Sequence, residues 1–368
     1  MIDTSTAVKY HYGKFPPTKI DFSALVNNLV AATDSLSRYD QMLKNMHNNE
    51  IFLSPLRGQE AVLSSRMEGT ISTMDEIMEY QSEEENRKSL RPDVVETYLY
   101  QETMRSAQKY IEEGYSITPA FIRSMHQQLL SEGRGAMKNP GKFKVSQNYL
   151  GDEVLNKAFF IPINPEKLQE GLEIWSDFAN DSDFTNLVKV AILHLEFEAL
   201  HPFEDGNGRI GRMLIPLLLW KFGSISAPHF YISGYFEKNK TEYIQMMREV
   251  SAKGIWTNWI NFFLKAVTAQ ANNNLQVSQQ IQMLYETMKN EFSEVVSSKW
   301  NVQVLDFIFT NPIFRSKKFY SDTKIPQPTG MKILKKLVDN NLLIIKEAGT
   351  GNKATQYSFE PLMNIVRV

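Results

Sequence analysis

The chain has no cysteine among its 368 residues. Structural disulfides, thiolate metal sites and cysteine nucleophiles are therefore excluded, and a reducing compartment fits. Long apolar runs are missing too. The longest goes from Met213 to Trp220, with Pro216 inside it, far short of the roughly 20 residues that span a membrane. The opening residues, MIDTSTAVKYHYGKFPP, hold no run of signal-peptide length. The expectation is a soluble cytoplasmic protein with no membrane partner. Neither sign of charge dominates, since 40 basic and 42 acidic residues leave a net charge of −2. Internal repeats and low-complexity tracts are absent as well. With 42% hydrophobic and 22% charged residues the composition is that of a globular protein. The length suggests two or three domains.

The charge is unevenly spread. Residues 300–368 hold 10 Lys or Arg against 5 Asp or Glu, so +5, and the rest carries −7. A basic C-terminal module behind an acidic body is a candidate for polyanionic partners.

Apolar periodicity predicts a mainly α protein, an all-helical body with one small β-hairpin flap. After about 20 irregular residues, Asp21 opens a helical pattern through Leu25, Leu29 and Leu36. A second runs from about Pro55 to Glu68 and stops at Gly69. Thr70 or Ser72 can cap the next, with Asp75 and Glu76 in its first turn. Residues 92–113 and the stretch after Thr118-Pro119 follow. Glycine and proline punctuate 133–165, and the β-prone pieces Phe143–Tyr149 and Ala158–Ile163 predict a hairpin or flap there. Helices are expected again at 166–180, 185–200, 210–222, 241–252 and 256–297, with a weak spot at Asn272–Asn274. The last 69 residues read as helices at Val302–Thr310, Ser316–Thr323 and Gln327–Asn340. Leu342–Lys346, the turn Gly349–Asn352 and Thr355–Phe359 then suggest a hairpin. That order resembles a winged helix-turn-helix, and Lys332, Lys335 and Lys336 would give its third helix charge for DNA phosphates.

One segment concentrates the chemistry: His201-Pro-Phe-Glu-Asp205-Gly206-Asn207-Gly208-Arg209-Ile210-Gly211-Arg212. Pro202 ends the preceding helix near His201. Gly206, Asn207 and Gly208 permit a tight turn whose N–H groups point one way, and the helix beginning near Ile210 puts its positive end beside it. This suits phosphates. Arg209 and Arg212 are three apart and can reach the same side. Asp205 offers a carboxylate to Mg²⁺, which also takes phosphate oxygens. His201, with a near-neutral pKa, suits a general base. A rival pattern overlaps this one. His194, Glu198 and His201 have a metal-ligand spacing on one helix, which would suggest a hydrolase.

The segment resembles the Fic motif, HxFx(D/E)GNGRxxR, at every fixed position. Lys189–Leu200 resembles the helix leading into that motif, and Pro140–Asp152, PGKFKVSQNYLGD, the family's flap. The resemblance implies an all-helical Fic core over about 116–270. Around it would lie an N-terminal helical region over 1–115, a linker helix over 271–299 and the winged-helix-like module over 300–368. It implies transfer of AMP from ATP to a Ser, Thr or Tyr hydroxyl of a target protein, itself included. His201 would be the base, Asp205 the Mg²⁺ ligand, and Gly206, Asn207 and Gly208 the anion hole. Arg209 and Arg212 would hold the β- and γ-phosphates, and Phe203 would anchor the loop. Ile210 and Gly211 complete the nucleotide-binding stretch, with an adenine pocket around Tyr235–Tyr243, hence Tyr235 and Tyr243. Ser64-Ser-Arg-Met-Glu68-Gly69 resembles the family's inhibitory motif, (S/T)xxxE(G/N). There Glu68 would pair with Arg212, displace the γ-phosphate and misplace ATP. De-adenylylation, or transfer of another nucleotide or phosphate group, stays open at the same site. So do a nucleotide-sensing DNA-binding regulator and a homodimer.

Overall fold

The computed structural model describes residues 2–46, 49–82, 91–152, 156–181, 183–351 and 353–368. The first 20 residues are not all irregular, for Val8–Lys9 forms strand β1. Asp21 Oδ1 accepts from the N–H groups of Ser23 and Ala24, and this turn delays helix α1 to Val26–Lys44. Helix α2 is Glu50–Met67, so it begins before Pro55. Proline there removes only the bond to the Ile51 carbonyl. Gly69, at φ 81, ends the helix as expected. Helix α3, Met74–Ser82, is capped by Thr73 rather than by Thr70 or Ser72. Thr73 Oγ1 accepts from Glu76 N–H at 3.2 Å and Glu76 Oε2 accepts from Thr73 N–H at 2.9 Å, a capping box. Helix α4 is Pro92–Glu112, and α5, Pro119–Leu129, is capped by Thr118.

The flap differs from expectation. Phe143–Tyr149 is not a strand, because its polar groups serve the loop around residue 201 instead of a ladder. The hairpin pairs β2, Leu150–Asp152, antiparallel with β3, Lys157–Ile161. Strand β1 lies parallel on the other side of β3, in the order β1-β3-β2.

Helices α6 (Pro165–Asp181), α7 (Asn186–Leu200) and α8 (Asn207–Lys221) form the centre. Every residue of α7 from Leu187 to Leu200 is buried. A helix buried on every side shows no single apolar stripe, and here Lys189, His194, Glu196 and Glu198 are buried with the apolar residues. Trp175 Nε1 and Trp259 Nε1 donate to the α7 carbonyls of Leu193 and Ala191, each at 2.8 Å. Two large indoles are thereby buried with their one polar atom satisfied. Helices α9 (Ser233–Lys238), α10 (Lys240–Lys253) and α11 (Trp256–Val296) follow. The 41 residues of α11 run unbroken through Asn272–Asn274. Buried Asn274 is put to use there, its amide donating to the Tyr231 carbonyl at 3.1 Å. One helix thus joins the expected core to the expected linker.

The C-terminal part contains α12 (Asn301–Thr310), β4 (Ile313–Arg315), α13 (Ser316–Thr323), α14 (Gln327–Asp339), β5 (Ile344–Glu347), β6 (Gln356–Ser358) and α15 (Glu360–Val366). Its sheet has the order β4-β6-β5. The sequence reading missed β4 and α15, and Asn352 of the expected turn lies outside the described residues. Ile333, Leu334 and Leu337 of α14 are buried, while Lys332, Lys335 and Lys336 are exposed. This part docks on α2 and α3. Gln59 donates to the Val366 carbonyl at 3.0 Å, and Arg367 and Lys346 both reach Asp75. Helix α2 is therefore gripped on two faces. Leu53, Ala61 and Met67 belong to the main core, and Ile51, Phe52 and Val62 to the second core under the C-terminal part. Among the described residues no helix is long and apolar enough to cross a membrane.

Candidate active site

Pro202 cannot continue α7, so the chain turns at His201, which adopts the left-handed conformation φ 46, ψ 62. That region is rare for a side chain with a Cβ and needs outside support. The support is a set of hydrogen bonds to consecutive carbonyls. Lys144 Nζ donates to Leu200 at 3.0 Å, Lys144 N–H to Pro202 at 2.8 Å, and Asn148 Nδ2 to His201 at 3.1 Å and Phe203 at 3.0 Å. Phe203 is fully buried and stacks on His126 at 3.7 Å between centroids. His126 Nδ1 accepts from Gly141 N–H, so its Nε2–H donates to the Asp205 carbonyl at 2.9 Å.

Gly206, at φ 76, makes the entry into α8, which starts at Asn207 rather than near Ile210. Asn207 braces the loop from inside the helix. Its Oδ1 accepts from Phe203 N–H at 2.8 Å and its Nδ2 donates to Phe203 C=O at 2.9 Å. The first helical bond runs from Ile210 N–H to Gly206 C=O. The N–H groups before it have no helical partner and carry the positive end of the helix dipole.

A carboxylate already sits on that end. Glu68 Oε1 lies 2.7 Å from Arg212 Nη2 and so close to Gly208 that any Cβ there would collide with it. Ser64 completes the grip on Arg212, its Oγ accepting from Nε and its carbonyl from Nη2, both at 2.8 Å. Burial pushes the Glu68 carboxyl up, but the Arg212 charge and hydrogen bond outweigh it and hold it below the usual range. Arg209 points elsewhere than Arg212. It pairs with Glu96 at 3.4 Å and Asp205 at 3.3 Å, is not among the residues lining the cleft, and its buried Nε has no partner among the described residues.

The cleft has a volume of about 590 Å³, and Glu68, Glu198, His201, Asp205, Gly208 and Arg212 line it. His201 is not near neutral as expected. Burial first, then the Lys144 charge, press its pKa down to about 4, against the pull of Glu68 and Asp205. The ring is therefore an uncharged acceptor at physiological pH. Burial pushes the Glu198 carboxyl up to about 8, and its Oε1 has no hydrogen-bond partner among the described residues. The rival metal reading fails. His194 spends Nε2 on Tyr243 Oη at 2.8 Å and Nδ1 on the Gly211 carbonyl at 3.2 Å, so it does not converge with Glu198 and His201. Among the described residues no group of three or more His, Cys, Asp or Glu could hold a metal. The half-exposed Asp205 in the cleft is a single hard oxygen donor, which fits a Mg²⁺ that takes its other ligands from phosphates and water.

Of the two tyrosines expected around adenine, Tyr243 lines the cleft and Tyr235 does not; Tyr235 packs on Phe262. Sequence reasoning missed Lys144, Asn148, Glu96, His126 and Lys240. Lys240 lines the cleft and donates to the Met67 carbonyl at 2.6 Å. These residues lie far from the motif in the chain and are brought to it only by folding. A lysine and an asparagine inside the flap segment were the one local signal.

Residues 26–109 match the family described as Fic/DOC family N-terminal, and residues 116–219 the Fic/DOC family itself. Together they take in just over half of the chain, which belongs to the Fic/DOC family. It is similar to a probable protein adenylyltransferase of Aquifex aeolicus, 23% identical over 75% of this chain and 74% of that one. The protein adenylyltransferase fic-1 of Caenorhabditis briggsae is 31% identical over 30% of this chain, and that of Caenorhabditis elegans 31% over 28%. The chain spans only about a fifth of those two nematode proteins, 21% and 19%. In fold, a Fic family protein from Desulfovibrio desulfuricans superposes with a TM-score of 0.62 over 94% of this chain and 98% of that one, at 15% identity.

The buried Glu198 gives a sign that can be measured. Its pKa rises from 4.5 to about 8 on folding, so between those values the native state binds more protons than the unfolded one. Its effect on stability is unfavourable as pH rises through that window. The variant Glu198→Gln, which needs no proton, should melt progressively higher than the wild type from pH 4.5 to 8. A melting difference independent of pH would contradict the assignment.

Proposed function

We propose that this chain is a protein adenylyltransferase held in check by its own Glu68. The observation that carries this reading is the Glu68 carboxylate, seated on Arg212 and against Gly208 at the positive end of α8, in the same cleft as the uncharged His201. The site is an anion seat beside a base, and a side chain of the chain itself fills it. Membership of the Fic/DOC family and the adenylyltransferase names of its relatives support the reading.

In the proposed reaction the triphosphate of ATP displaces Glu68 and takes Arg212 and the α8 N-terminus. A Ser, Thr or Tyr hydroxyl of the target gives its proton to His201. The hydroxyl oxygen bonds to the α-phosphorus, the bond to the β-phosphate oxygen breaks, and pyrophosphate leaves. Mg²⁺, held by Asp205, supplies charge neutralisation for the phosphates. Catalysis of this kind is positioning plus electrostatic stabilisation. The proposed catalytic core is residues 116–270. Since β1 covers one side of β3, the outer side of β2 is the edge left for a target strand. The reverse hydrolysis, with Glu68 orienting a water, is supported by Glu68 and His201 lining one cleft. For residues 300–368 we propose a winged-helix module that binds DNA through Lys332, Lys335 and Lys336, on the strength of their exposure on α14.

Intact-mass spectrometry after incubation with ATP and Mg²⁺ tests the reaction. Glu68→Gly should add AMP to itself or to a lysate protein well above the wild-type level. Each 1.4 kcal/mol relieved from the inhibited state is about tenfold in the competent population. Adding His201→Ala should abolish the gain. Equal or lower transfer by Glu68→Gly would contradict self-inhibition. For the module, binding to a duplex should weaken steeply with salt, and changing the three lysines to Glu should remove it. Absence of duplex binding at low salt would refute the DNA reading.

A further inference from the structure

The loop that carries His201 is clamped from outside the motif. Four consecutive carbonyls, those of Leu200, His201, Pro202 and Phe203, all accept from Lys144 or Asn148. The two donors are themselves coupled, since Lys144 Nζ donates to Asn148 Oδ1 at 2.8 Å. That bond fixes which way the Asn148 amide faces, so Nδ2 is turned to the loop. Lys144 is 3% exposed and, among the described residues, has no carboxylate partner; its ammonium donates to Asn148 and the Leu200 carbonyl. A buried lysine without a counter-ion is expensive, and a merely structural brace could have been built from neutral groups.

We propose that Lys144 and Asn148 are positioning residues of the transfer reaction, fixing the left-handed turn that aims His201 into the cleft and tying it to the root of the flap. Both lie at the start of the segment that leads into β2, so the strand edge and the base move as one piece. Placement of a target on the flap would thereby set the hydroxyl and the base in register. The charge on Lys144 also bears on His201. The groups facing that ring are Lys144 from the flap root, Glu68 from the end of α2, Asp205 from its own loop and the Glu198 carbonyl from α7. Lys144 opposes protonation of the ring and the other three favour it. Burial brings Lys144 itself down to about 7.

The inference rests on the adenylyltransferase reading for its kinetic test but not for its spectroscopic one. The kinetic test uses the Glu68→Gly background and the initial rate of AMP transfer. Lys144→Met should lower kcat by about tenfold or more while KM for ATP stays within about twofold, because the phosphate contacts are untouched. Lys144→Arg, which keeps charge and donors, should restore most of kcat. Asn148→Leu should also lower kcat, and it decides the matter if Lys144→Met fails to fold. The spectroscopic test follows the His201 ring by NMR, assigned by its loss in His201→Gln. In Lys144→Met the ring should titrate higher than in the wild type, toward the ordinary 6.5. In Asn148→Leu its titration should stay with the wild type. If Glu68→Gly transfers no AMP, the proposed function fails and the titration still judges the clamp. An unchanged titration in folded Lys144→Met would overturn the inference, as would a raised KM with kcat intact.

Discussion

The guanidinium of Arg212 takes a hydroxyl and a carbonyl from Ser64 of α2 and a carboxylate from Glu68 just beyond it, all at once, and much else in the molecule is arranged around that grip. Arg212 is 2% exposed, so its charge needs partners in place. Ser64 supplies two of them from within α2. The third, Glu68, sits just past the last residue of α2 and is half-exposed, so it is the one that can leave. Helix α2 is held by the main core on one face and by the C-terminal part on another. The helix that leads to Glu68 is therefore held by both cores, and Glu68 stands at its exposed end.

The same economy shapes the catalytic loop. An α7 buried from Leu187 onward delivers His201, a proline forces the turn, and α8 presents its positive end where the turn closes. The left-handed residue at the joint is strained, and the bonds from the flap root, Asn207 and His126 to the loop hold it there. Burial keeps both His194 and His201 uncharged, so His194 can bridge α8 and Tyr243, and His201 is free to accept a proton in the proposed reaction.

What could be read from the sequence was what is local in the chain. The stretch from His201 to Arg212 is contiguous, and its chemistry follows from neighbours a few residues apart. Helices that open on a proline, such as α4 and α5, were placed almost to the residue. The errors fall where a distant partner decides. Strand β1 is two residues long and exists only because β3 is beside it. Residues 143–149 look β-prone, yet Lys144 and Asn148 are drawn to the loop at 200–203. Gly206-Asn207-Gly208 reads as a turn, but the braces from Asn207 bring two of the three into the helix. Arg209 and Arg212 share a spacing and not a fate, because Glu96 on α4 takes the first and Glu68 the second.

The central claim is that a carboxylate and a nucleotide phosphate compete for one seat. Calorimetric titration of wild type and Glu68→Gly with ATP and with AMP tests it directly. AMP carries no phosphate that reaches Arg212, so its affinity should be the same for both proteins. ATP should bind Glu68→Gly more tightly than wild type, by roughly tenfold for each 1.4 kcal/mol that the Glu68–Arg212 pair contributes. Equal ATP affinities, or a gain for AMP as large as that for ATP, would contradict the account.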